Sequence, residues 1–328
     1  MKENRGKNME GTIGKPGGAA TASAPLMPLL RTPRRKGLRR LMRRRSSIAF
    51  LMCLPLILGV VGLVIYPACY SVYLAMLNKS QTHFVGLDNF AFLFSRDMFW
   101  MVVEQSAIFA ISAVFFKALI GLVTAHLVNN LPAKGQRKWR GMMLVPWVMP
   151  LALSSLGWWW MFDPTHSALN WMLRSMGAQE VPWLSEPGWA RLSVILVNVW
   201  YGAPFFLIMY LAALKSVPEQ LYEAAAIDGA NAWQRFLYVT LPMMRSIIAI
   251  TVLFSLIVTF ANFDIVQILT QGGPRDTTHV FATYAFMLGI RSGDIPLGAA
   301  VSLFMFPILG VAAFFILRGV RRRGEEIG

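Results

Sequence analysis

Apolar runs of roughly 20 residues alternate along the chain with shorter polar stretches. At 1.5 Å per helical residue, a run of that length matches the ~30 Å hydrocarbon core of a bilayer, so each predicts a membrane-crossing helix. Six runs stand out, at about 48–74, 101–128, 142–161, 192–214, 247–269 and 296–317. Strand-like alternation is nearly absent, and the ~10-residue alternating segments of an outer-membrane barrel do not occur. The pattern predicts an all-α integral membrane protein, a bundle of six transmembrane helices. No internal repeat supports the inverted-repeat plan of many secondary transporters.

Residues 1–45 break the pattern. Up to Leu30 they are rich in Gly, Ala, Ser, Thr and Pro, with too little apolar surface to offset the entropy of ordering, which predicts a disordered tail. The basic residues before the first run resemble a signal-peptide n-region, but the run that follows is about twice the usual ~7–15-residue apolar stretch, so it predicts an uncleaved first span. Met27 and Met42 are alternative starts. Residues 46–328 form the transmembrane domain.

Composition agrees with this reading. The chain is 56% hydrophobic and 14% charged, against a usual charged fraction of ~25% in soluble domains. The net charge of +15 is concentrated in Arg31–Arg45 and Arg318–Arg323, beside apolar runs. That placement fits topological anchors rather than a nucleic-acid partner. Lys134, Arg137, Lys138 and Arg140 fall between the second and third runs, and Lys215, Arg235 and Arg245 between the fourth and fifth. The other three connections hold only Lys79, Arg96, Arg174, Arg191, Arg275 and Arg291. The positive-inside rule and the even span count then agree on both termini and the 216–242 connection in the cytoplasm. Cys53 and Cys69 have no metal-ligand spacing and are expected to pack.

The 216–242 connection is too structured for a simple link, because bundle connections need only ~2–8 residues. Ser216 and Glu219 have the spacing of a capping box. Leu221, Ala224, Ala225 and Asp228 share one face of the helix that follows. Gly229 is suited to a left-handed C-terminal turn, and Asn231 with Gln234 offers a second cap. Trp233, Phe236, Leu237 and Thr240 line a second short helix, expected to stop before Pro242. The reading is a helix-turn-helix elbow, which either packs under its own bundle or docks on another protein.

Glu223-Ala224-Ala225, Asp228-Gly229-Ala230 and Leu241-Pro242 resemble the EAA loop of binding-protein-dependent ABC importer permeases. The stretches 84–90 (FVGLDNF), 144–150 (LVPWVMP), 160–164 (WMFDP), 263–274 (FDIVQILTQGGP) and 298–300 (GAA) are similar to the sugar-permease branch of the maltose-transporter type. The resemblance covers nearly everything after the tail, and is greater to the partner that carries F-D-x-x-x-x-L-T-x-G-G-P. The chain departs from the pattern in its long tail and in Lys117.

The resemblance implies the type I ABC importer permease fold in a bacterial inner membrane, with a second permease subunit, two copies of a cytoplasmic ATPase and an extracytoplasmic solute-binding protein. It implies that Glu223, Ala224, Ala225, Asp228, Gly229 and Ala230 couple to the ATPase. It also implies that the chain binds no cofactor itself, ATP and Mg lying on the ATPase, and that the solute is a sugar, sugar alcohol or glycoside. Alternatives are another small polar solute such as a glycerol phosphate, a secondary carrier, or a docking subunit that transports nothing.

Catalytic constellations are not evident in the sequence. Gly11–Pro16 lacks full phosphate-loop spacing, and the four histidines are scattered without a metalloprotease motif. For a polar solute pathway the candidates are Asn198, Trp200 and Tyr201 in the fourth run and Asn262 and Asp264 in the fifth. Polar groups in a bilayer carry a cost, which pathway contact or helix-to-helix ties would explain. Lys117, inside the second run, needs a partner from another helix or subunit, because Glu104 is thirteen residues away along its own helix. Trp158, Trp159 and Trp160 fit an interfacial belt, and Gly272-Gly273-Pro274 an outer turn.

Overall fold

The computed structural model describes residues 45–324. The tail, its phosphate-loop-like stretch and the alternative starts lie outside the described residues. Helix α1 (Arg45–Val60) runs through a π-helical turn (Val61–Ile65) into α2 (Tyr66–Ala75). Next come α3 (Asp88–Phe94), α4 (Asp97–Asn129), α5 (Ala133–Met143), α6 (Val145–Val148), α7 (Leu151–Met161), α8 (Ala168–Ser175) and α9 (Pro187–Lys215). The elbow helices α10 (Glu219–Ile227) and α11 (Ala232–Arg235) lead through a π turn (Phe236–Thr240) into α12 (Leu241–Phe260). The chain ends with α13 (Asp264–Leu269), α14 (Phe281–Phe286), a third π turn (Met287–Arg291), α15 (Ile295–Leu303) and α16 (Met305–Gly324). Among the described residues, extended pairing is limited to an isolated bridge between Leu77 and Phe84.

Five stretches are continuous, long and apolar enough to cross a membrane: Ala49–Ala75, Asp97–Asn129, Pro187–Lys215, Ala232–Phe260 and Ile295–Gly319. The third predicted span, 142–161, is not one helix. It breaks around Leu144 and again at Met149–Pro150, separating α5, α6 and α7. Pro146 opens α6 and Pro150 precedes α7, and a proline lacks the N–H that would continue the ladder. The fifth run is likewise interrupted: α12 stops at Phe260 and α13 begins at Asp264.

The long helix α4 organises the packing of residues 61–324. Gly121 on α4 meets α9 where a Cβ would run into Phe206, so the two helices approach at backbone distance. Val114 and Ala125 pack there with Phe206, Leu207 and Tyr210, and Met244 of α12 closes the same cluster. Further along α4, Phe99, Val102 and Ala110 pack with Phe281 and Tyr284 of α14 and Ala300 of α15. A hydrogen bond from the Phe281 N–H to Ser106 Oγ, 3.0 Å, ties α14 to the N-terminal third of α4. Gly298 allows the second close crossing, since a Cβ there would lie 2.6 Å from Gly289 Cα and 2.7 Å from the Ala285 carbonyl. The cysteines do not pack as expected: Cys53 and Cys69 are exposed free thiols.

Candidate functional site

The elbow is built by local hydrogen bonds. Gly229 has φ +77°, the left-handed turn its position predicts. The Gly229 N–H donates to Ala226 O (3.1 Å) and the Ala230 N–H to Ala225 O (2.9 Å), the paired bonds of a Schellman motif. Asn231 then caps α11 reciprocally: the Gln234 N–H donates to Asn231 Oδ1 (2.9 Å), and the Asn231 N–H to Gln234 Oε1 (2.8 Å). The two bond pairs adjoin along the chain, which makes the elbow stiff.

Two expectations about the elbow are corrected. Ser216 does not cap α10. Its hydroxyl donates to Ala213 O at 2.7 Å and ends α9, while Pro218 occupies the N-cap of α10 without a side-chain cap bond. The second elbow helix also does not stop before Pro242 but continues through the π turn into α12. In a regular α-helix the ring of Pro242 would crowd the Tyr238 carbonyl, and the wider π turn relieves that crowding.

The elbow presents an apolar and acidic tip. Ile227 is 87% exposed, Trp233 66% and Tyr238 77%, with Glu223, Ala224 and Asp228 also exposed. Ala225 and Ala230 are half-buried. The Tyr222 hydroxyl and Thr240 Oγ1, 2.9 Å apart, join α10 to the π turn. Lys215 Nζ donates to Gln136 Oε1 at 2.8 Å, tying the root of the elbow to α5.

The polar residues inside the spans separate into different roles. Lys117 is 4% exposed, and its Nζ donates to Thr259 Oγ1 of α12 at 2.9 Å. Thr259 Oγ1 in turn donates to Ser255 O at 2.6 Å. Gly202 of α9 makes room, since a Cβ there would lie 2.7 Å from Lys117 Cε and 2.8 Å from Cδ. The amine therefore links α4 to α12 across the flank of α9. No carboxylate lies within ion-pair distance of it among the described residues. Thr259 was not singled out from the sequence, because 142 residues separate it from Lys117.

Asn198, Trp200 and Tyr201 are not brought into one site. Asn198 is 3% exposed, and its Oδ1 is buried without a hydrogen-bond partner among the described residues. Trp200, turned about 200° away along the helix, packs edge-on against Trp158 and lines a groove of about 560 Å³ with Phe116, Ile120, Met142 and Leu196. That groove is lined almost entirely by apolar side chains, with Thr124 and the Trp200 indole as its polar groups. Tyr201 is half-buried. In the fifth run, Asn262 Oδ1 accepts from the Ile265 N–H at 3.2 Å just ahead of α13, and Asp264 is half-buried in the first turn of that helix. Of the three tryptophans, Trp158 packs inward on Phe162 while Trp159 and Trp160 face outward.

The turn at 271–274 is shaped by a side chain that sequence reasoning passed over. Gly272 has φ +92°, and the His279 ring occupies the space a Cβ would need. Among the described residues, no group of three or more His, Cys, Asp or Glu is placed to hold a metal ion.

Residues 117–323, well over half of the chain, match the family described as binding-protein-dependent transport system inner membrane component. The trehalose/maltose transport system permease protein MalF of Thermococcus litoralis is 31% identical over 271 residues, covering 81% of this chain and 91% of the relative. The sulfoquinovosyl glycerol transport system permease protein SmoG of Agrobacterium fabrum is 29% identical over 281 residues, covering 84% and 91%. Among solved structures, a chain of a bacterial ABC transporter involved in the import of the acidic polysaccharide alginate superposes with a TM-score of 0.76 at 25% identity. That match covers 87% of this chain and 98% of the other. With its membrane-spanning helices and its elbow between α9 and α12, the chain belongs to the family of binding-protein-dependent transport system inner membrane components.

Proposed function

We propose that this chain is a permease subunit of an ATP-driven importer for a sugar or related carbohydrate, and that its elbow transmits nucleotide-driven motion to the spans. The elbow geometry carries the proposal. Two helices locked by a left-handed Gly229 and a reciprocal Asn231 cap present Ile227 and Trp233 outward, and α11 is continuous with α12. A displacement applied at that tip reaches the fifth span without a flexible joint to absorb it. Similarity to relatives named for trehalose, maltose and sulfoquinovosyl glycerol transport supports the carbohydrate class.

In this reading the elbow and both termini face the cytoplasm, and Glu223, Ala224, Ala225, Asp228, Gly229 and Ala230 form the contact with an ATPase subunit. Two such subunits hold ATP and Mg and carry out hydrolysis, so the chain itself is not an enzyme. A second permease completes the pathway, and a binding protein delivers the solute. The alginate transporter was solved in complex with a pentasaccharide-bound periplasmic protein, which supports the last of these partners. Asn198, Trp200, Tyr201, Asn262 and Asp264 are secondary candidates for the pathway, because the bonds described above give Asn262 a local role and leave Asn198 Oδ1 free for a transported or bridging group. The test is reconstitution with the partner subunits. Solute-loaded binding protein should stimulate ATP hydrolysis and uptake together, whereas uptake that persists without the ATPase contradicts the proposal.

A further inference from the structure

Beneath the elbow lies a cavity of about 310 Å³ between the end of α4, the end of α9 and the start of the fifth span. His126, Asn129, Asn130, Tyr222, Arg235 and Thr240 supply its polar lining, and among the described residues no carboxylate borders it. Arg235 Nε is buried there without a hydrogen-bond partner among the described residues. A guanidinium nitrogen cut off from water and left unpaired is costly, so the arrangement calls for an acceptor.

Acceptors of the surrounding backbone and hydroxyls are each already engaged once. At the end of α4, the His126 carbonyl accepts from the Asn130 N–H (3.3 Å) and the Val128 carbonyl from the Leu131 N–H (3.1 Å). The Asn129 carbonyl accepts from Gln136 Nε2 (3.1 Å). Tyr222 and Thr240 hydroxyls are bonded to one another. Arg235, Asn129, Asn130 and His126 line the cavity, and their guanidinium, amide and imidazole groups supply donors alongside the two amide oxygens.

We infer that this cavity binds a phosphate-class oxyanion, held by Arg235 from the elbow and by the Asn129 and Asn130 amides from the end of α4. A planar guanidinium with a fixed fork of donors matches phosphate oxygens. The volume sits at the lower end of small-ligand sites, with room for a phosphate and a small ester substituent. The group comes either from a free phosphate or from the headgroup of an anionic phospholipid. Lys134, Arg137, Lys138 and Arg140 on neighbouring α5 would raise the local concentration of either. Occupancy bridges the elbow and the second span, so the two move together.

The test uses the assembled importer in nanodiscs, without nucleotide. Radiolabelled inorganic phosphate is titrated in phosphatidylcholine discs, and in a second arm phosphatidylglycerol retention is measured by native mass spectrometry from mixed-lipid discs. The expected result is retention in one arm, which names the source, and a loss of about tenfold or more in both Arg235→Gln and Asn129→Leu, compared with wild type at equal assembly. Phosphate sites on the ATPase subunits contribute equally to all three proteins and cancel in the difference. Asn129→Leu fills the opposite wall without changing charge, so the inference stands or falls even where Arg235→Gln assembles poorly. Retention unaltered in both variants, or absent in both arms of the wild type, overturns the inference. Binding is read without nucleotide, so this failure would leave the elbow's coupling role standing, and failure of coupling would leave the site standing.

Discussion

Replacing Thr259 by Val removes one oxygen from the buried contact of Lys117 while keeping the side-chain shape. Lys117 Nζ loses its 2.9 Å acceptor and remains 4% exposed in a membrane-spanning segment. A buried donor left unsatisfied costs about 1–3 kcal/mol, more for a charged group. The converse substitution, Lys117→Met, removes the amine together with its burial cost and roughly conserves volume. Thr259 Oγ1 keeps its own 2.6 Å bond to the Ser255 carbonyl, so no orphan is created. By this asymmetry Thr259→Val should destabilise by about 2 kcal/mol more than Lys117→Met. The double variant should return to the level of Lys117→Met. Unfolding of detergent-solubilised protein against denaturant, followed by near-UV circular dichroism, reads the difference. Lys117→Met costing as much as Thr259→Val, or additive costs in the double variant, would refute the structural role. A raised KM for solute in Lys117→Met at unchanged stability would instead place the amine in the pathway.

At Gly229 a Cβ would meet open space, so Gly229→Ala should cost only the left-handed backbone penalty, about 1–2 kcal/mol by unfolding against denaturant. Gly229→Pro cannot reach φ +77° and loses the bond to Ala226 O, so copurification of the ATPase should be lost. Gly298→Ala drives a Cβ into the Gly289 backbone and the Ala285 carbonyl, and should lower the thermal midpoint more than Gly310→Ala, where the space is open. The N–H groups of His166 and Thr165 hold the Asp163 carboxyl below its ordinary range. The turn they form is favoured above the unfolded-state carboxylate pKa and loses that preference as pH falls through the lowered one. Faster amide exchange at His166 in acid, relative to neighbouring turns and corrected for intrinsic rates, checks the sign.

Much of the bundle was legible because its signals are local. Apolar runs located five long apolar helices, and Gly229 and Asn231 announced a turn and a cap that need only adjacent residues. Ser216 misled because spacing alone does not say which helix end a hydroxyl will serve, and Pro218 took the entry position. The break in the third span was present as Pro146 and Pro150, but an uninterrupted apolar run masks proline punctuation. The stretch before Pro296 reads as a connection, yet Phe281, Thr283 and Tyr284 are buried in a short helix against α4. That burial depends on Ser106, far away in sequence. Thr259 as the partner of Lys117, and the isolated Nε of Arg235, are likewise products of tertiary packing and leave no periodicity to read.

Docking of the elbow on a motor subunit can be measured by disulfide crosslinking. With Cys53 and Cys69 replaced by Ser, the exposed tip carries Ile227→Cys as its single thiol, paired with cysteines placed across the ATPase surface in the reconstituted importer. A crosslink should form, with a yield that changes when ATP closes the ATPase pair. Ile227→Cys protein that links to no ATPase position in any nucleotide state, and is labelled by an impermeant thiol reagent from outside the cell, would rule out the coupling role of the elbow.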